Sequence, residues 1–210
     1  SIDFSDEPAL AMLHLEDTRT NIGEDLLTDV AVLAIGHSAR DTFGLLNLSD
    51  IKMEPKPFAV GVRVEHPQDM IDESQYGKNA PESLPAAAYK LTAKTKEGRG
   101  FYTFCMCPGG YVVNASSEEN RLAVNGMSYS GRNGKNANSA VIVTVSPEDF
   151  PEKGILGGLA FQRQLEEAAF AEGQGKIPVQ LFGDFKKSVP SSNAGAIAPQ
   201  MKGAYSWGNV

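Results

Sequence analysis

Two thiols one residue apart begin the stretch of this chain richest in potential chemistry, Phe104-Cys105-Met106-Cys107-Pro108-Gly109-Gly110-Tyr111. A cysteine sulfur can serve as nucleophile, redox centre or metal ligand, and its neighbours decide which. On a regular strand, residues i and i+2 project from one face, so Cys105 and Cys107 are expected side by side. Pro108 removes a ladder donor. Gly109 and Gly110 allow backbone shapes and close approaches that a Cβ would block. A loop of this kind suits a backbone laid against a flat ligand. A second Gly/Asn-rich stretch runs from Asn125 to Ser139 and carries Asn125, Met127, Arg132, Asn136 and Asn138. These side chains could meet a polar substrate, although an ordinary Asn/Gly hairpin accounts for much of the same composition.

Three readings of the thiols stand: small buried side chains, metal ligands, or a nucleophilic or redox pair. The metal reading is the weakest. No second cysteine pair exists, and His14, His37 and His66 show no ligand spacing. A C-x-C spacing also differs from the C-x-x-C of dithiol relays. His66, at the end of an expected strand and before Pro67, is the best local acid–base group because imidazole titrates near neutrality; a plain loop histidine is the alternative. Arg63 is either a buried ion-pair partner or an anion clamp.

These groups need a scaffold, and the chain has the means to build one. With 210 residues, 41% of them hydrophobic, it can bury a core. A net charge of −7 argues against nucleic acid as partner. No apolar run approaches a membrane span, and the start, Ser1-Ile2-Asp3-Phe4-Ser5-Asp6-Glu7, lacks the pattern of a secretory signal. Two cysteines at this spacing do not form an extracellular disulfide framework, so a reducing cytoplasm is the expected setting.

The hydrophobic pattern predicts a strand over 9–16. The run Val30 to Ile35 is apolar on both faces and reads as a buried parallel strand. Gly36-His37-Ser38 turns the chain, with Ser38 as N-cap of a helix beginning at Ala39; Arg40 then offers a fork of donors near a helix N-terminus. Strands are expected at 58–65, 88–94, 100–105, 111–115, 121–125 and 140–146. Helices are expected within 66–87, at 156–171 and at 178–186, followed by an irregular tail from Ser188. The implied class is α+β, with a mixed, mainly antiparallel sheet or small barrel.

Four ordered motifs carry a family resemblance: 32–43 (VLAIGHSARDTF), 56–68 (KPFAVGVRVEHPQ), 104–110 (FCMCPGG) and 125–129 (NGMSY). They resemble the bacterial FAD-dependent, NAD(FAD)-utilising dehydrogenases. The resemblance implies FAD as cofactor, a small-molecule substrate and a candidate NADH or NADPH donor. It implies a remnant of an FAD-binding domain over 1–50, an inserted substrate-side domain over 51–187 and a linker-like tail over 188–210. The G-x-G-x-x-G turn of such flavoproteins is absent, so the chain is expected to be the middle of a longer protein of the two-dinucleotide-fold class. On this basis Gly36, His37, Ser38, Arg40, Cys105, Pro108, Gly109 and Gly110 are expected near the cofactor. Asn125, Met127, Arg132 and Asn138 are expected near substrate, and Cys107 and His66 are the catalytic candidates. The rival expectation is a non-catalytic ligand- or partner-binding domain.

Overall fold

A computed structural model describes residues 2–4, 10–49, 51–81 and 83–210. Ala9, the expected start of the first strand, lies outside the described residues. So do Ser1, Ser5, Asp6, Glu7 and Pro8, Asp50 at the expected first domain boundary, and Glu82. The chain divides into two compact units, Ser1–Arg40 and Asp41–Val210.

The first unit holds an antiparallel three-stranded sheet of β1 (Ile2–Phe4), β2 (Leu10–Asp17) and β3 (Ile22–Leu27), with β2 in the middle. The expected buried strand at Val30–Ile35 does not form. The segment runs without strand pairing, and Val30 and Val32 are 75% and 86% exposed. A strand apolar on both faces needs neighbours on both edges, and among the described residues nothing pairs with this one. Gly36 follows with φ +73°, and the next helix, α1, spans Arg40–Leu48. It starts one residue later than the sequence implied, which moves Ser38 out of the N-cap position. Ser38 instead accepts the Arg40 N–H through its carbonyl at 2.9 Å.

The second unit is organised by a four-stranded sheet in the order β4-β9-β6-β5, formed by Phe58–Pro67, Asn136–Val145, Gly100–Cys107 and Thr92–Lys94. All its pairings are antiparallel. β4 and β9 pair along ten residues, from Phe58 opposite Val145 to Pro67 opposite Asn136. Directly opposed residues share a face, so the register sorts the side chains. One face carries Val60, Val62, Val64, His66, Ser139, Val141 and Thr103. The other carries Arg63, Glu65, Asn138, Phe104 and Cys107.

A second sheet joins β7 (Tyr111–Asn114), β8 (Val124–Met127) and β11 (Met201–Lys202) in the order β11-β7-β8. A parallel pair unites β10 (Ile177–Val179) with β12 (Tyr205–Trp207). The sheets are open and mainly antiparallel, and the fold class is α+β. Three further helices complete it: α2 (Gln68–Tyr76), α3 (Gly157–Gly173) and α4 (Phe182–Phe185). Phe150, 2% exposed, stacks on Phe58 at 5.2 Å and meets Phe161 of α3 at 6.2 Å between ring centroids, closing the core at that end. The segment after Ser188 is not wholly irregular. β11 and β12 each add in parallel to a strand of the body, because alternate apolar residues such as Tyr205 and Trp207 can pair where a polar, Gly/Pro-rich run cannot.

Candidate functional site

The Cys-Pro-Gly-Gly loop and the Asn/Gly stretch meet. Gly134 N–H donates to Gly109 O at 3.1 Å, and Ser128 Oγ donates to Pro108 O at 2.7 Å. Gly109 has φ +52°, and a Cβ there would overlap the Arg132 carbonyl. A Cβ on Gly126 would run into Arg63 Nη1, Asn138 Oδ1 and Cys107 Sγ together. These glycines therefore have a packing reason: the chain's own atoms fill the space beside them. Pro108, Gly109 and Gly110 are all buried.

The strand alternation breaks at the thiols. Phe104 opposes Ala140, yet Cys107, not Met106, opposes Asn138. Cys105 and Met106 share the span opposite Ser139 in a β-bulge, with Cys105 at φ +45°, a conformation that a bulge usually gives to glycine. The two sulfurs are thus not the regular same-face pair that an unbroken strand would give. Cys105 is exposed and Cys107 half-buried, and both are free thiols.

Around Cys107 a polar cluster forms. Arg63 Nη1 donates to Asn138 Oδ1 at 2.6 Å and to Cys105 O at 3.2 Å, and Nη2 donates to Asn125 Oδ1 at 3.2 Å. Cys107 Sγ donates to Cys105 O at 3.3 Å. Burial lowers the Arg63 pKa, partly offset by the neighbouring Cys107 and Cys105. Asn138 is wholly buried, and its Nδ2 has no hydrogen-bond partner. Glu65 shares this face, but its carboxylate accepts Asn136 Nδ2 and the Gln200 N–H, and burial raises its pKa against those two bonds.

His66 lies on the opposite face of the sheet from Cys107, so the two catalytic candidates are separated by the sheet itself. Its Nε2 hydrogen-bonds the Tyr89 hydroxyl at 2.8 Å, while its Nδ1 is buried without a partner. Burial lowers the His66 pKa and raises that of Tyr89.

Gly36, His37, Ser38 and Arg40 belong to the first unit. Gly36 to Ser38 are exposed, and no atom lies within 4 Å of where a Gly36 Cβ would stand. Arg40 is buried, 7% exposed, rather than spread over a surface. In the second unit Met127 is half-buried, and Arg132 is exposed with φ +47°. Among the described residues no three His, Cys, Asp or Glu gather as metal ligands, and no helix is long and apolar enough to cross a membrane.

Three contributors escaped the sequence reading. Tyr89 partners His66. Gln68, 4% exposed, accepts the Gly109 N–H at 2.8 Å and donates to Ala87 O at 3.0 Å. Gln200 donates to Gly110 O at 2.7 Å from the distant tail. Gln68 closes the motif 56–68, so its position was visible; Gln200 stands alone in a low-complexity tail and carried no signal.

Residues 57–210 match the family described as FAD-dependent protein, C-terminal domain-like. The chain belongs to that family. An uncharacterized protein of Clostridium beijerinckii is 50% identical over 187 residues, which cover 87% of this chain and 35% of that protein.

Proposed function

We propose that this chain forms the substrate-side part of a longer cytoplasmic FAD-dependent oxidoreductase. The observation that carries the reading is the interlock of the 104–110 and 125–139 loops at the Arg63–Asn138 cluster, within the region that matches the FAD-dependent family. FAD, when bound, supplies hydride acceptance; the protein supplies orientation and field.

Two features fit such a cofactor. The Gly36 turn presents uncovered backbone with φ +73° and open space above it, the kind of surface that a dinucleotide can approach. Taken by itself, the second unit has its glycines filled by the chain, so any ligand contact there falls to the exposed Cys105 and Asn125 and to the half-exposed Arg63 that they hold. Asn125, Met127 and Arg132 then line the substrate side, while the wholly buried Asn138 holds Arg63 from behind and Cys107 lies beside the guanidinium. His66, its pKa lowered by burial, is the acid–base candidate of the other face, where Tyr89 orients it by a hydrogen bond. NADH or NADPH is the electron donor in this reading.

The test is an absorption spectrum of the polypeptide extended to the length of its Clostridium relative, taken anaerobically before and after NADH or NADPH. The reading expects flavin bands that bleach on reduction. A colourless protein that still binds small polar ligands would favour a non-catalytic binding domain instead.

A further inference from the structure

Arg63 is a half-buried cation whose partners among the described residues are all neutral. Asn138 Oδ1 and Cys105 O take the Nη1 hydrogens, and Asn125 Oδ1 takes one from Nη2. The Cys107 thiol beside it spends its hydrogen on Cys105 O. Glu65, the carboxylate on the same face, is already occupied by Asn136 and Gln200.

A guanidinium has five N–H donors in a rigid fork. The bonds named above leave two of the five donors, Nε–H and one Nη2–H, and Nε and Nη2 border one edge of the plane. That edge matches two oxygens of a carboxylate or phosphate. The other edge is held fast, so little side-chain entropy remains to be lost when an anion arrives. Desolvating a cation without a counter-charge is costly, and an arriving oxyanion relieves that cost. The buried, unpartnered Nδ2 of Asn138 adds a second donor without an acceptor in the same cluster.

We propose that the free edge of Arg63 binds an oxyanion group in a bidentate manner, so that the ligand presented at this face is acidic. The chemistry is the same whether the oxygens belong to a substrate carboxylate or to a phosphate of the cofactor. The inference rests on the reading that this face serves a flavoprotein, and the flavin spectrum of the same sample reports on that reading separately.

The test is chemical modification of arginine with phenylglyoxal, mapped by peptide mass spectrometry on the extended polypeptide with and without FAD. Acetate and inorganic phosphate serve as probes, with chloride at equal ionic strength as control and the exposed Arg19 of the first unit as internal reference. The proposal expects the Arg63 modification rate to fall several-fold with acetate or phosphate while that of Arg19 is unchanged. Protection by acetate in the FAD-loaded protein assigns the site to a substrate carboxylate. Protection by phosphate only before loading, with FAD itself protecting afterwards, assigns it to the cofactor. Equal rates at Arg63 under all conditions, or no modification of Arg63 in any form, would overturn the proposal even if the flavin bands are present. Anion protection without flavin bands would support the site and sink the flavoprotein reading alone.

Discussion

Asn138 Oδ1 receives the Arg63 Nη1 hydrogen at 2.6 Å, which ties a wholly buried amide on the central strand β9 to the cation of the neighbouring strand β4. Asn138→Ala removes this acceptor and leaves a half-buried charge with one partner fewer. Denaturant titration is expected to show a loss of about 1–3 kcal/mol. Asn138→Asp should lose less, because Nδ2 makes no hydrogen bond to forfeit and a carboxylate there meets the guanidinium directly. Equal losses in the two variants would mean that the charge on Arg63 has little weight in this cluster.

Cys105 sits at φ +45° at the bulge and is exposed. A left-handed conformation costs a residue with a Cβ roughly 1–2 kcal/mol, against about 0.5–1 kcal/mol of extra unfolded-state freedom for glycine. Cys105→Gly is therefore expected to be as stable as the native chain or more so by up to about 1 kcal/mol. Cys105→Val, β-branched, should be clearly less stable. Thermal melts of the two variants check the sign, and a destabilised glycine variant would show that the thiol itself contributes to the fold.

Gly126 and Gly36 separate packing from exposure. Gly126→Ala drives a methyl into Arg63, Asn138 and Cys107, whereas Gly36→Ala meets no atom within 4 Å. Overpacking of the first kind costs about 1–3 kcal/mol and should also raise the accessibility of Cys107 to iodoacetamide. Gly36→Ala bears only the strain of its positive φ and should leave thiol labelling unchanged. Matching labelling rates for the two variants would contradict the close packing around Gly126.

His66 has a lowered pKa in the folded chain because burial disfavours the imidazolium. As pH falls through about 6.5, the ordinary histidine value, the unfolded chain takes up the proton first. Stability from this group is thus full at neutral and higher pH and is lost as pH drops below that value. His66→Gln should flatten this part of the stability curve between about pH 7 and pH 5. An unchanged slope in the variant would assign the acid sensitivity elsewhere.

Much of the architecture could be read from local pattern. The alternation Val60, Val62, Val64 announced β4, and the apolar spacing within 156–171 announced α3. Val30–Ile35 misled because its double-sided apolarity states a need for neighbours without supplying them. The meeting of the two Gly-rich loops was legible, since both were polar where strands end. Their detail was not. A β-bulge depends on pairing across to Ser139, and nothing local at Cys105 marks it. Tyr89 reaches His66, and Gln200 reaches Gly110, through contacts 23 and 90 residues apart in sequence, which no short motif records.

The central claim is that this chain serves an FAD site without holding the main cofactor grip itself. A dinucleotide is gripped chiefly by a glycine-rich turn at a helix N-terminus, and the sequence has no G-x-G-x-x-G after a strand. The Gly36 turn offers at most a few hydrogen bonds of roughly 1–3 kcal/mol each. These must offset an association cost of at least about 4 kcal/mol, while micromolar affinity needs about 8 kcal/mol net. Calorimetric titration of FAD into residues 1–210, beside the same titration into the extended polypeptide stripped of flavin, tests this most directly. The account predicts binding weaker than micromolar for the first and tight binding for the second. Low-micromolar or tighter binding by residues 1–210, or no binding by the extended protein, would contradict it.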